Sequence, residues 1–336
     1  MITKIAKNIK KLTIVSVESY FLTFYVHLYF YINLKEYMKK VGYYLMIIFL
    51  YPIALLPSCC LNILSDFIFF IICYVVGYRK QIVLRNLENA FPKKNKAEIK
   101  ILAKKFYKSF ADILIEYLMY WTMSSKQLKQ HVKIKNTTLF EKYKNRHIVF
   151  IIGHFNNWEW YNILPAYTMH NILGLVKPIK NNNVEKLITK IRSRHGMDVV
   201  LIKNTLREIL QREKNNIPSL SIFAGDQIPT ANEINFWTTF LNQETPVYLG
   251  AEKIAKKINA VVIYADMFRI KRHYYEINLQ LITDLPQKEP PYHITLKHIT
   301  ALETSILKQP ESWLWSHRRW KHKRKTNEKI WKRLPS

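Results

Sequence analysis

From Val41 to Tyr78 the chain is apolar almost throughout, broken by Pro52, Pro57 and Asp66. Such a run admits two solutions, a pair of helices buried in a core or contact with lipid. Val41–Leu56 holds 16 residues, slightly short of the ~20 that a bilayer-crossing helix needs. Leu61–Tyr78 is similar but carries Asp66. Both segments are apolar on all faces, which suits lipid or a very large core. Lys39 and Lys40 before the first segment, and Tyr78, Arg79 and Lys80 after the second, are residue types that anchor at a headgroup interface. The stretch 38–80 therefore reads as a membrane-embedded or membrane-docked anchor.

Residues 1–37 join a basic start (Lys4, Lys7, Lys10, Lys11) to the aromatic run YFLTFYVHLYFYINL, with no small-residue cleavage site after it, so they do not read as a signal peptide. Met38 opens a second basic-then-apolar pattern, MKKVGYYLMIIFLYPIALLP. Met38 is thus the expected functional start, and 1–37 an extension outside the functional protein.

The charge balance narrows the partners. Against 24 Asp+Glu stand 52 Lys+Arg, a formal +28, and self-repulsion of that size calls for an anionic partner or surface. Nucleic acid, anionic lipid headgroups and an acidic protein all qualify, and drift toward lysine in runs such as KKNKAEIKILAKK accounts for part of the excess. Cysteines 59, 60 and 73 form an odd set without CxxC or Cys/His spacing, hence neither a disulfide framework nor a zinc site. No metal or cofactor is expected. With 7 glycines and no Ser/Pro-rich stretch, long flexible linkers are not expected either.

Beyond Arg79 the pattern is that of a soluble domain. Ile99, Leu102, Phe106, Phe110, Ile113 and Tyr117 recur at helical spacing, predicting an amphipathic helix over 96–121. The β-branched run HIVFII (147–152) predicts a buried strand, and others are expected at Ile172–Val176, Asp198–Ile202, Leu220–Phe223, Val261–Tyr264 and Tyr275–Leu281. Helical stretches fall at Asn183–His195, Thr205–Lys214 and Pro246–Lys257. Strands alternating with helices imply an α/β fold with a mixed, mostly parallel central sheet flanked by helices.

The most informative segment is IVFIIGHFNNWEWYN. A buried strand ends at Gly153, His154 follows, and two asparagines able to cap a helix precede Trp158 and Glu159. Catalysts in α/β sheets gather outside the carboxyl ends of strands, where His154 stands. Within one helix, positions five apart point about 140° from each other at ~3.6 residues per turn. His154 and Glu159 converge only if His154 lies in the turn before the helix. A carboxylate on one imidazole nitrogen fixes the tautomer and raises the basicity of the other, and such a pair can deprotonate a hydroxyl. The plainer reading of a lone His near a Glu is a satisfied surface pair.

GHFNNWE resembles the H-x4-D/E motif of acyltransferases. With other blocks it is similar to the lipid A biosynthesis (late) acyltransferase family of lauroyl/myristoyl-transferase type, within the lysophospholipid acyltransferase superfamily. The other blocks follow in order: GYRKQIVLRNLENAFP, LVKPIKNNNVEKLITKIRSRHG, FAGDQIP, TPVYLGAEKIA and PESWLWSHRRWK. They cover about Met38 to Lys323, the catalytic domain being 81–323 and the basic tail 324–336.

The resemblance implies a glycerolipid-acyltransferase-like fold on the cytoplasmic face of a bacterial inner membrane. It implies transfer of an acyl chain from acyl-(acyl carrier protein) or acyl-CoA to a hydroxyl of a lipid A precursor. His154 would be the general base, oriented by Glu159. Arg192, Arg194 and Lys177 would bind substrate phosphates or polarise the thioester, and Asp226 would orient an arginine or support the loop. His317, Arg318 and Arg319 belong to the C-terminal signature and would contact substrate. The chain departs from the pattern at Lys177, where arginine is common before Pro178, at Gln227, where histidine is usual after the aspartate, and around the histidine, where Asn156, Asn157, Trp158 and Trp160 resemble a divergent branch. They leave the acceptor open: a lysophospholipid or an amino-acid-containing lipid is the alternative within the same chemistry.

SHRRWKHKRK interleaves Arg, Lys and Trp, which suits single-stranded nucleic acid or an anionic membrane with tryptophans at headgroup level. A non-catalytic basic protein is the alternative from a different class. The apolar segment decides for the membrane, and no nucleic-acid partner is expected.

Overall fold

The computed structural model describes residues 39–226 and 228–332; the 1–37 extension lies outside the described residues. The chain divides into two compact units, one formed by 1–52 with 179–187 and the other by 53–178 with 188–336. In the smaller unit the described residues are helical over 39–52 and from Asn182 on.

Along the chain, a helix over 39–54 (α1) is followed by α2 (Ser58–Phe70), extended by a π-helical turn over Ile71–Val75, then α3 (Lys80–Ala90), α4 (Lys96–Thr122) and α5 (Ser125–His131). Next come β1 (Val132–Lys135), α6 (Thr138–Lys142), β2 (Ile148–Ile152), a 3-10 helix (Trp158–Ala166) and β3 (Asn171–Val176). α7 (Asn182–Arg192), β4 (Met197–Leu201), α8 (Thr205–Lys214) and β5 (Ser219–Ala224) continue the alternation. The rest is β6 (Trp237–Phe240), β7 (Gln243–Pro246), α9 (Gly250–Lys257), β8 (Val261–Lys271), β9 (Tyr274–Thr283), α10 (His293–Lys308) and β10 (Ile330–Trp331).

The fold is α/β. A seven-stranded sheet has the order β1-β9-β8-β2-β5-β3-β4, every neighbour pair parallel except β8–β9. All five residues of β2 are buried, which is why IVFII is continuous rather than alternating: helices cover both faces of a parallel strand. The six expected strands form at their expected places. A second sheet, β10-β6-β7, is not foreshadowed by the apolar pattern, and its strand Ile330–Trp331 lies within the stretch that composition marks as a tail.

α4 is the expected amphipathic helix with a capping box at its start. Asn95 Oδ1 accepts from the Ala97 and Glu98 amides at 2.9 and 3.0 Å, and Glu98 Oε2 accepts from the Asn95 amide at 2.8 Å. One such cap contributes about 1 kcal/mol. The buried face of α4 also carries two carboxylates, Asp112 and Glu116. Asp112 accepts from Ser65 Oγ at 2.6 Å, from Arg272 Nε at 2.9 Å and from Arg269. Glu116 accepts from Tyr275 Oη at 2.8 Å and pairs with His273 Nδ1 at 2.8 Å. These bonds tie α2, α4 and the β8–β9 hairpin together, satisfying charges that would otherwise cost several kcal/mol each.

α2 with its π-helical turn is the one described helix long and apolar enough to cross a membrane. One face is committed to the catalytic unit, since Ser65 is buried and Asp66 pairs with Lys108 and Arg272. Ile63, Phe67, Phe70 and Tyr74, on the other face, are 53–71% exposed. The helix is therefore two-faced in its fold although its sequence is not.

Trp320, expected at headgroup level as part of SHRRWKHKRK, packs inward beside Trp313 of the preceding signature. Trp313 and Trp315 are 1% and 0% exposed, and Trp320 stacks on Phe240 and donates to Thr245 Oγ1 at 2.7 Å. Their aromatic surface is worth more inside the core, where each indole N–H also finds an acceptor.

Candidate active site

β2 ends at Ile152, and Gly153 leads into a tight turn. A Cβ at Gly153 would lie 2.5 Å from Leu302 Cδ1 of α10, so a larger residue here would displace that side chain. His154 lies in this turn, before the 3-10 helix. Asn156 takes a left-handed φ of 53°, which asparagine tolerates, and its amide donates to Ser312 O at 2.8 Å. The Leu314 amide donates to His154 O at 3.1 Å, and Phe155 bridges to Trp313. The histidine's turn is thus clamped by the segment Ser312–Leu314. Asn157 caps the 3-10 helix by accepting from the Glu159 amide at 3.2 Å, and donates its own Nδ2 to Glu116 at 2.8 Å.

The carboxylate on the imidazole is that of Asp226. His154 Nδ1 donates to Asp226 Oδ1 at 2.8 Å, and the His154 amide donates to Oδ2 at 2.8 Å. Trp313 Nε1 donates to Oδ2 at 2.8 Å. Asp226 is buried, at 3% side-chain exposure, whereas His154 keeps 25%. Burial opposes charge on both groups, but their mutual attraction wins. His154 is held above its usual range, and Asp226 well below the carboxylate range. Trp158 lies edge-on to the imidazole, 5.1 Å between centroids. His154 Nε2 makes no hydrogen bond among the described residues.

Glu159, expected on His154, is engaged elsewhere. Arg192 Nε donates to its Oε2 at 2.9 Å, and Nη2 donates to its Oε1. This fork-to-fork geometry is the strongest pairing the two side chains can make. Burial works against the Arg192 charge, and Glu159 more than restores it. Tyr117 and Tyr120 of α4 stand close, with buried hydroxyls that have no partner among the described residues.

The remaining expected residues separate into near and far. Lys177, just past β3, feels His154 electrostatically and stands at a cavity of about 320 Å³ lined by Leu175, Ile202, Leu206, Phe223 and Tyr248. His317 is held down to about 4 by burial, with Asp226 and His154 among the charges it feels, so it is neutral near pH 7. Arg194 instead donates to the Trp121 and Thr122 carbonyls at the end of α4. Arg318 is exposed. Arg319 is enclosed at 0% exposure with one hydrogen bond, Nη2 to Pro246 O at 2.7 Å, and burial lowers it to about 10.

A partly exposed imidazole held by a buried carboxylate at the carboxyl ends of adjacent parallel strands is an α/β enzyme's arrangement of site residues. The chain matches the family of bacterial lipid A biosynthesis acyltransferases over residues 33–322 and belongs to it: it is an acyltransferase of lipid A biosynthesis. No curated protein matches the chain.

Asp226 as the imidazole's partner could have been found from one signal. IIGH and FAGD share a pattern of buried strand, glycine, then an ionisable residue. β2 and β5 pair with Ile152 opposite Ala224, so the next-but-one residues, His154 and Asp226, fall side by side. Trp313 and Glu116 act on the turn from a distance in sequence that no local pattern bridges.

Proposed function

We propose that the enzyme moves a fatty acyl chain from an acyl thioester to a hydroxyl of a lipid A precursor in a late acylation, with His154 as general base. The observation that carries this reading is the hydrogen bond from His154 Nδ1 to buried Asp226. It leaves Nε2 as the unprotonated, more basic nitrogen. Nε2 takes the proton of the acceptor hydroxyl as its oxygen attacks the thioester carbonyl. The tetrahedral intermediate collapses with C–S cleavage, and the imidazolium returns the proton to the leaving thiolate. No covalent acyl-enzyme is needed.

Glu159 fixes Arg192, whose remaining donor Nη1 is available to the carbonyl oxygen as negative charge develops there. The 320 Å³ cavity, lined in part by Lys177 and by Leu175, Ile202, Leu206 and Phe223, is assigned to the acyl chain. The carrier is acyl-(acyl carrier protein) or acyl-CoA, and the place of action is the cytoplasmic face of the inner membrane. The exposed stripe of α2 supports docking onto the bilayer rather than crossing it, because the opposite face is tied to the catalytic unit through Asp66 and Ser65.

Mass spectrometry of total lipids from a deletion strain tests the reading. Loss of one acyl group from lipid A is expected. Unchanged lipid A with a missing phospholipid or aminolipid species would contradict it and move the acceptor to that class.

A further inference from the structure

The turn that ends the exposed helix opens onto a basic concavity. A cavity of about 990 Å³ is walled by Arg79, Lys80 and Arg85 around the start of α3 and by Arg318, Lys321 and Lys323 of the C-terminal segment. No acidic side chain is among the described residues that line it. Like charges facing one concavity repel, and an anion between them relieves that repulsion. Gln243 lines the same wall, and its buried Nε2 has no acceptor among the described residues. The wall is braced: Arg79 Nη1 donates to Ser316 O at 3.0 Å, and Asn86 Nδ2 donates to the Trp315 and His317 carbonyls at 2.8 and 3.0 Å. Several cations converging on one concavity, with Arg79 held in place, suit an oxyanion with several acceptor oxygens, as phosphate has.

Two further observations say what carries the phosphate. The cavity begins at Gly77, directly after Val75 and Val76, which are 63% and 65% exposed. If the apolar stripe lies in lipid, the cavity sits at headgroup depth. One segment reaches both places: Arg318, which lines the cavity, follows His317, and a few residues earlier Trp313 donates to Asp226. A concavity accommodates a compact headgroup better than the convex face of an acidic protein.

We propose that this pocket binds a phosphate of the acceptor lipid and so sets which hydroxyl faces His154. The proposal rests on the function inferred above and adds the group by which the acceptor is recognised.

The test compares acceptor lipid before and after phosphatase treatment, with acceptor varied at saturating acyl donor and then donor varied at fixed acceptor, for wild type and the double variant Arg85→Gln/Lys321→Gln. Both residues are exposed, so folding is retained, and thermal melting checks it. Wild type is expected to favour the phosphorylated acceptor by about tenfold or more in kcat/KM, through KM. The double variant loses that preference, while the charge-matched control Lys100→Gln/Lys126→Gln keeps it. A preference retained in the double variant overturns the proposal, as does a raised donor KM with acceptor preference intact, which would assign the pocket to an acidic carrier protein. A second arm needs no turnover: co-sedimentation with phosphatidylcholine vesicles carrying phosphorylated acceptor, dephosphorylated acceptor or phosphatidylglycerol. Selective loss of binding to the first supports the pocket, and equal loss on phosphatidylglycerol overturns its specificity. Binding without acylation by wild type would sink the proposed function and leave the pocket standing.

Discussion

The two acid–base pairs that follow β2 are built from similar parts and differ in what they can do with a proton. Asp226 holds a histidine through one nitrogen, and the histidine keeps a quarter of its side chain exposed. Glu159 holds an arginine by two parallel bonds, and arginine does not give up its proton in a protein. The first pair can cycle between charge states during turnover, and the second can only stay charged. In the proposed mechanism proton transfer is therefore assigned to His154–Asp226, while Glu159–Arg192 stays a permanent ion pair that holds the 3-10 helix to the end of α7.

The largest expected effect separates the pairs at the base itself. His154→Ala should lower kcat by about 10²–10⁴, the usual range for a general base, with the fold intact by circular dichroism. Undiminished acyl transfer would contradict the mechanism. Asp226→Asn comes next, with a loss of about 10²-fold or more in kcat, since the amide can favour the wrong tautomer. Arg192→Lys keeps the charge but loses the fork; a loss of about 10-fold in kcat/KM and a lowered melting temperature are expected. Lys177→Arg restores the residue common in the family and should change kcat/KM by no more than about threefold, since neither charge nor reach is lost.

Stability should also report the first pair. Asp226 is depressed in the fold, so its contribution is present above its unfolded value of about 3.9 and is lost as pH falls through the lower folded value. His154 is raised, so its contribution is complete below about 6.5 and is lost as pH rises through the higher folded value. Urea unfolding of wild type and Asp226→Asn across pH should show the difference between them narrowing at both ends.

The central sheet was legible because buried parallel strands such as IVFII and SLSIFA declare themselves by continuous apolar runs. The second sheet was not, because WTTF and QETP are short, polar in part, and gain their stability from pairing with distant Ile330–Trp331. At the site, His154 was legible from its place after a strand and glycine. Its partner was misassigned by proximity: Glu159 is five residues away in sequence, whereas Asp226 is 72 away and one strand over in space. The tail misled in a similar way. Its Trp320 resembles a headgroup anchor by composition, yet it stacks on Phe240 and donates its N–H to Thr245 Oγ1.

The central claim is that Asp226, not Glu159, tunes the base, and the pH dependence of kcat/KM tests it most directly. Activity should rise with pH as His154 loses its proton, through a midpoint above the ordinary histidine value in wild type. In Asp226→Asn that midpoint should fall to or below about 6.5, because burial then acts without the opposing charge. In Glu159→Gln it should move far less. A midpoint that shifts with Glu159 and ignores Asp226 would contradict the account.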